Sequence, residues 1–265
     1  MIHIATVHWA TDRWIDVQLH HLEKHIDHPF RVYASLDGIE RDHSKRFFYS
    51  CSLEGTRHPA KLNRLADRIT EEADAHDLIV FLDGDAFPIA PFDPPVTRML
   101  AENPLAAIRR DENLGDPQPH PSFCVTTVAF WRKIGGDWSR GQAWLNADGE
   151  TVNDPGGKLL KALEERGIGW TPILRTNAKN LHPIMFGVYG GVIYHHGAGF
   201  RQPLSRREIA EIPGATELAG SKQGTAEFRE YSKLTKAKRD ENERLSRLVF
   251  ERIENDDDFA RSLFI

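Results

Sequence analysis

The chain has 265 residues, of which 40% are hydrophobic and 28% are charged, and its formal net charge is -5. This composition excludes a disordered or membrane-embedded protein, and the negative charge argues against a general nucleic-acid binder, which would carry a basic stripe. The chain is long enough to bury a large core. Its two cysteines, Cys51 and Cys124, lie far apart and outside any C-x-x-C spacing, so neither a disulfide framework nor a zinc knuckle is indicated.

The N-terminal segment 1–7 lacks the basic region and long apolar stretch of a secretory signal. No apolar stretch approaches the roughly 20 residues that span a bilayer. We therefore predict a cytoplasmic protein without an integral membrane segment.

Strands and helices alternate through the first hundred residues. Short β-branched and aromatic runs predict strands, and apolar residues at helical spacing predict helices. The predicted strands are 2–7, 30–36, 47–51, 78–82 and 105–109, and the predicted helices are 12–25, 59–70 and 96–102. This order favours a three-layer α/β/α sandwich with a mostly parallel central sheet.

The second half of the chain is less regular. The pattern predicts a loop at 113–121, a β-rich run at 122–131, a helix at 155–166, β structure at 185–195 and a single charged helix at 225–254. We expect a catalytic domain over 1–220, with halves at 1–110 and 111–220, and a C-terminal helical extension over 221–265.

The most informative motif is Asp83-Gly84-Asp85, directly after the apolar run 78–82. Open α/β folds bind ligands at the carboxyl edge of the sheet, and Gly84 lets the backbone turn and approach a ligand closely. Two adjacent carboxylates repel each other unless a cation lies between them. Mg²⁺ or Mn²⁺, which prefer oxygen ligands, are the natural occupants. The alternative is an ordinary strand-end turn with two solvated aspartates.

The order of these elements resembles the nucleotide-binding half of GT-A fold glycosyltransferases over roughly residues 2–200. The resemblance implies a metal-dependent, hexosyltransferase-type enzyme in which Asp83 and Asp85 hold Mn²⁺ or Mg²⁺ and the sugar phosphate of a nucleoside diphosphate sugar, with UDP favoured and GDP open. The resemblance also implies positions beside the donor for five further residues: Thr6, His8, Asp37, Lys61 and Asn63. The partners would be this donor and a glycan, glycolipid or small-molecule acceptor, and an oligomer stays open.

Asp154 precedes the predicted helix and has two interpretations. As a local feature it would be an N-cap, with Pro155 at the first helical position. The resemblance implies instead a carboxylate under the reacting sugar, which would deprotonate the acceptor hydroxyl in an inverting enzyme. Glu150 and Asp148 are the substitutes if Asp154 is only a cap.

The segment His195-His196-Gly197 resembles the position where many GT-A enzymes supply a third metal ligand. Adjacent side chains of a strand alternate between faces, so one histidine should point at the site, and we favour His196 because it lies at the glycine turn. The glycines could present backbone N–H groups to phosphate, and Arg201 could neutralise the departing diphosphate.

Two alternative functions remain open. A haloacid-dehalogenase-like phosphatase or phosphotransferase shares hydrophobic-Asp-x-Asp, but its motif continues to a threonine, where this chain has Phe87. A non-catalytic nucleotide-sugar-binding protein is the other alternative. The histidines around His21 and His25 have zinc-like spacing but no accompanying carboxylate pattern, which favours a solvated helix face.

Overall fold

A computed structural model describes residues 1–197 and 204–265. Its twelve strands are β1 Ile2–Trp9, β2 Phe30–Asp37, β3 Tyr49–Cys51, β4 Leu78–Asp83, β5 Ala86–Pro88, β6 Leu105–Ile108, β7 His120–Thr127, β8 Trp144–Leu145, β9 Thr151–Val152, β10 Thr171–Ile173, β11 Gly187–Tyr189 and β12 Ile193–His195. Its eight α-helices are α1 Arg13–His25, α2 His58–Glu72, α3 Asp93–Glu102, α4 Val128–Ile134, α5 Gly157–Glu164, α6 Arg206–Ala210, α7 Ala226–Leu234 and α8 Lys236–Asn255. These counts refer to the described part of the chain.

The central sheet has seven strands in the order β10-β6-β7-β4-β1-β2-β3. The neighbours β4, β1, β2 and β3 are parallel, as are β6 and β10, whereas β7 runs antiparallel to both of its neighbours. The predicted mixed α/β fold with a mostly parallel sheet is therefore confirmed. Because β1 to β4 are parallel, Trp9, Asp37, Cys51 and Asp83 all lie at one edge of the sheet.

Two apolar clusters cover the two faces of this sheet. One includes Ile4 and Val80 with Ile15 and Leu22 of α1, and the other includes Leu62 and Leu65 of α2. The alternating inward positions of the strands therefore meet α1 on one side and α2 on the other. This arrangement fixes the two helices that flank the carboxyl edge of β4.

A second sheet of three antiparallel strands, in the order β11-β12-β5, brings distant parts of the chain together. His195 of β12 pairs with Ala86 of β5, directly after the Asp-Gly-Asp turn. Helix α8 packs against this sheet through Val249, Phe250 and Ile253. The C-terminal segment thus shares a hydrophobic core with the second sheet, while the predicted domain boundaries stay a prediction.

Three element predictions are wrong in detail. The run 122–131 is a strand only as far as Thr127. The Thr127 side chain accepts a hydrogen bond from the Phe130 N–H and caps helix α4, which follows. The predicted helix 225–254 is broken at Thr235 into α7 and α8. Helix α5 begins at Gly157 and not at Pro155, because Gly156 occupies the N-cap with φ 89°. Within the described residues, no helix combines the length and the apolar character needed to cross a bilayer.

Candidate metal and nucleotide site

Asp83, Asp85 and His195 form a compact cluster at the carboxyl edge of β4. Ligand atoms from all three side chains lie within 4.8 Å of one another. His195 Nε2 lies 3.4 Å from Asp85 Oδ1 and 3.6 Å from Asp83 Oδ2. It is the one group of at least three His, Cys, Asp or Glu residues with metal-binding spacing in the described ranges.

The electrostatics of the cluster are those of a site that holds a positive charge between two carboxylates. Burial alone would raise the pKa of Asp85, but the neighbouring His195 lowers it to about 2. Burial alone would lower the pKa of His195, but Asp85 and Asp83 raise it above its ordinary value. The two carboxylates thus stabilise the charged form of His195, as they would stabilise any cation between them.

The donor set fits Mn²⁺ or Mg²⁺. Carboxylate oxygens suit both ions, and an imidazole is compatible with Mn²⁺. Asp83 Oδ1 is buried and receives no hydrogen bond, although His58 Nε2 lies 3.2 Å away from it. The observation that supports a metal here is the donor set itself, two carboxylates and an imidazole whose ligand atoms lie within 4.8 Å of one another.

The structure selects His195 over His196, so the preference for His196 is wrong. His196 faces the opposite side of β12, where Nδ1 bonds the Tyr194 hydroxyl at 3.0 Å and Nε2 bonds Ser246 Oγ at 2.8 Å. Its ring packs on Trp14. Burial lowers the pKa of His196 to about 3. Arg201 lies outside the described residues.

Gly84 permits the close passage of the Asp-Gly-Asp turn over β1. A Cβ at this position would lie 2.5 Å from the Val7 carbonyl oxygen and 2.8 Å from His8 Nδ1. His8 is buried, its Nε2 has no hydrogen-bond partner, and burial lowers its pKa to about 4. His8 therefore lies directly beneath the turn as a neutral imidazole.

Thr6 contributes through Gln18, which sequence reasoning missed. Thr6 Oγ1 donates to Gln18 Oε1, and Gln18 Nε2 donates to the carbonyl oxygens of Asp83 and Ala86, both at 2.8 Å. Gln18 lies on the apolar face of α1, between Trp14 and Leu22. A polar residue on an apolar stripe was the available signal, because a buried amide needs internal partners.

Asp37 and Lys61 form a buried ion pair in which Lys61 Nζ lies 2.8 Å from Asp37 Oδ2. Asp37 also accepts from Ser35, Ser52 and the Leu53 N–H. Burial would raise the pKa of Asp37, but Lys61 and these hydrogen bonds lower it. The pair holds the loop after β3 against the end of β2.

A cleft of about 360 Å³ opens beside this pair, at the carboxyl ends of β2 and β3, and was not predicted. Its lining includes Leu36, Ile39, Arg41, His43, Ser50 and Ser52. β1 and β2 lie between β4 and β3, so the cleft is about 10–14 Å from the cluster at the usual strand spacing.

Asn63 is not brought to the cluster. Its side chain bonds Asp137 Oδ1 at 2.6 Å and the Trp138 N–H at 2.9 Å, which ties α2 to the segment before α5. The expectation that it faces the donor has no support in these contacts.

Asp154 is not a helix cap, because Gly156 occupies that position without a side-chain cap bond. Its carboxylate instead lies 3.1 Å from Arg110 Nη2. The same guanidinium group lies 2.6 Å from Asp116, and its charge acts to lower the pKa of His195. Arg110 therefore pairs with Asp154 and lies close enough to His195 for its charge to act there. The substitutes Glu150 and Asp148 both pair with Arg206.

Comparisons with known proteins find similar solved structures only. No protein-family model matches the chain, and no curated protein matches it. S. aureus TarS 1–349 in complex with UDP is 12% identical and has a TM-score of 0.39, and the match covers 52% of this chain and 49% of TarS. The galactosyltransferase LgtC in complex with donor and acceptor sugar analogues is 14% identical and has a TM-score of 0.36, and the match covers 61% of this chain and 70% of LgtC. The apo-form glycosyltransferase GlyE of Streptococcus pneumoniae TIGR4 is 12% identical and has a TM-score of 0.38, and the match covers 64% of this chain and 44% of GlyE.

The matched part of the chain spans about half the length of the TarS structure. Because all three TM-scores are below 0.5, we base no argument about activity on these similarities. The proposed function depends on the cluster, the cleft and the ion pairs described above.

Proposed function

We propose that this protein is a metal-dependent glycosyltransferase of hexosyltransferase type that uses a nucleoside diphosphate sugar, with UDP favoured as the nucleotide. The observation that carries the proposal is the Asp83, Asp85 and His195 cluster at the carboxyl edge of β4. A cleft large enough for a nucleoside opens along the same edge. A ligand with its base in the cleft and its diphosphate at the cluster would cross the end of β1 above His8.

Asp83, Asp85 and His195 would hold the metal. A bound Mn²⁺ or Mg²⁺ offsets the charge that develops on a departing diphosphate. Gly84 keeps the turn low over β1, so that the diphosphate has room to approach. Gln18 fixes the carbonyl oxygens on both sides of the turn, and thereby the direction of the two carboxylates.

The acceptor hydroxyl would enter on the side of Asp154. Arg110 holds the Asp154 carboxylate in place, and Asp154 would take the hydroxyl proton if the reaction inverts the anomeric centre. In a retaining reaction the same carboxylate would orient the sugar. Glu150 and Asp148 are less suited, since Arg206 engages both at the surface. Glycan, glycolipid and small-molecule acceptors, the oligomeric state and cytoplasmic residence stay predictions.

The chain lacks the threonine hydroxyl of the phosphatase motif. Phe87 occupies the position of the motif's threonine and is fully buried between His21 and Tyr194. A non-catalytic nucleotide-sugar-binding protein differs from the enzyme only in turnover. The experiment below separates all three.

The test combines thermal unfolding with donor turnover. UDP, GDP, ADP and their common sugar conjugates are added with and without Mn²⁺, and a ligand at about 100 times its Kd stabilises the native state by about 2.7 kcal/mol. We expect one nucleotide to raise Tm in the presence of Mn²⁺ and its sugar conjugate to be hydrolysed or transferred.

Asp85→Asn should abolish both effects, whereas Asp67→Asn, which changes an exposed carboxylate on α2, should leave them unchanged. Stabilisation without turnover on any acceptor would favour the binding protein. Stabilisation by phosphate mimics with Mg²⁺ alone would favour the phosphatase. An Asp85→Asn protein that turns over donor without metal would contradict the proposal.

A further inference from the structure

A hydrogen bond joins the C-terminal helix α8 to the residue that follows the candidate metal ligand His195. His196 Nε2 bonds Ser246 Oγ of α8 at 2.8 Å, and His196 Nδ1 bonds the Tyr194 hydroxyl at 3.0 Å. Trp14 and Phe186 pack on the His196 ring at centroid distances of 4.6 and 4.9 Å. Both nitrogens of this buried imidazole are thus hydrogen-bonded, and two aromatic rings contact it.

His195 and His196 are adjacent, so their side chains leave the backbone on opposite sides. His195 reaches Asp85 and Asp83 on one side, and His196 reaches Ser246 on the other. A rotation of the backbone that moves one imidazole must therefore move the other. Fixing His196 against α8 fixes the direction in which His195 points.

The backbone extends this constraint to the aspartates. The His196 N–H donates to the Asp85 carbonyl oxygen at 3.0 Å, and His195 pairs with Ala86 across β5 and β12. These backbone bonds hold His195 and the Asp-Gly-Asp turn in one fixed register. The side chain of His196 anchors the same segment to α8 on the other side.

We propose that Ser246 and His196 are positioning residues for the metal, which makes α8 part of the metal site although it contributes no ligand. The inference depends on the proposed function only in that the cluster binds a divalent cation. Groups that orient a metal ligand change metal affinity by about 10–100-fold when they are removed. Ser246 acts through His196 and a peptide bond, so we expect a change at the lower end of that range.

The experiment measures Mn²⁺ affinity directly, by the electron paramagnetic resonance signal of free Mn²⁺ in titrations of the full chain. The variants are Ser246→Ala, the conservative Ser246→Thr and the control Ser232→Ala, which removes a half-buried hydroxyl from α7. Urea unfolding without metal is measured in parallel.

We expect Ser246→Ala to raise the Kd for Mn²⁺ about 10-fold, Ser246→Thr to restore most of the affinity, and Ser232→Ala to leave it unchanged. Ser246→Ala should also lower the stability without metal, because it leaves the buried His196 Nε2 without a partner, and Ser246→Thr should restore it. His196→Gln, which keeps one amide near the Nε2 position, should bind Mn²⁺ with intermediate affinity.

Each contrary result has a distinct meaning. If the wild-type and Ser246→Ala proteins bind Mn²⁺ with equal affinity, this inference is wrong and the proposed function still stands. Wild-type protein that binds no divalent cation would overturn both. A loss of affinity that matches an equal loss of stability in Ser246→Ala, without rescue by Ser246→Thr, would assign Ser246 a structural role only.

Discussion

Gln18 Nε2 lies 2.8 Å from the carbonyl oxygen of Asp83, so an amide on α1 determines where the strand that carries the first carboxylate ends. The same nitrogen donates to Ala86 on the far side of the turn. The two hydrogen bonds bracket Gly84 and Asp85, and they are buried beneath the candidate metal site. The turn is therefore held from below by a residue far from it in sequence.

Replacing Gln18 by Met keeps the shape of the side chain and removes both hydrogen bonds. Two carbonyl oxygens and the Thr6 hydroxyl would lose their partner, and each buried unpaired group costs about 1–3 kcal/mol. We expect a loss of about 3 kcal/mol or more in the free energy of unfolding and a weaker affinity for Mn²⁺. Urea unfolding and a Mn²⁺ titration measure the two effects. Gln142→Met, which removes a surface bond to Glu164, is the control and should change neither.

Gly84→Ala tests the close passage of the turn over β1. The added Cβ would lie 2.5 Å from the Val7 carbonyl oxygen, a contact that backbone atoms must move to relieve. Overpacking of this kind costs about 1–3 kcal/mol, and the displacement should also weaken Mn²⁺ binding. Gly55→Ala is the comparison for metal binding: nothing lies within 4 Å of a Cβ at Gly55, and its φ of 73° strains alanine, so this variant should lose stability without a change in Mn²⁺ affinity. Equal metal affinity in wild type and Gly84→Ala would argue against this account.

Lys61→Met leaves Asp37 as a buried carboxylate without its cation. Removing one partner of a buried ion pair costs about 3–5 kcal/mol, so the midpoint of urea unfolding should fall markedly. Lys158→Met removes the exposed pair with Asp137 and should cost less than about 1 kcal/mol. We also expect Lys61→Met to weaken nucleotide binding, since the pair supports the loop beside the cleft. Two variants of equal stability would refute the buried role of Lys61.

The pH dependence of metal binding follows from His195. Its pKa in the metal-free protein is raised by Asp85 and Asp83 against the effect of burial, and Nε2 must lose its proton before it can bind a metal. Asp85, with a pKa of about 2, stays ionised above about pH 4. Mn²⁺ affinity should therefore fall as the pH falls through the raised pKa of His195, by up to about tenfold per pH unit.

Titrations at about pH 6, 7 and 8 measure this trend. His195→Asn provides the control, because an amide does not titrate and its weaker affinity should be flat over the same range. A flat profile in the wild-type protein would show that His195 does not compete with a proton for the metal.

Sequence reasoning located most of the strands and helices of the first hundred residues and the strand end at Asp-Gly-Asp, since both depend on local patterns of apolar and turn residues. Sequence reasoning failed where a residue far away in the sequence determines the orientation of a side chain. His195 and His196 are indistinguishable by neighbourhood, and the choice between them depends on the antiparallel pairing of β12 with β5. Asp154 likewise has a sequence context typical of an N-cap, but Arg110 and the positive φ of Gly156 determine its role.

Other failures have the same physical origin. The turn at Thr127, where β7 passes into α4, lies within an apolar run that suits either element, and a single hydroxyl cap decides between them. His58 carries no signal in the sequence, and Gln18 carries only its place on the apolar stripe of α1. Their relation to Asp83 exists only because α1 and α2 flank the end of β4.

The pairing of β5 with β12 also has a consequence for the order of folding. Asp85 and His195 lie in segments far apart along the chain, and closing so long a loop is entropically unfavourable until the intervening structure exists. A polypeptide that is still emerging from the ribosome would hold the two aspartates well before it holds the histidine. Metal binding at this cluster would therefore come late in folding, and bound Mn²⁺ would mark the chains that have completed their fold.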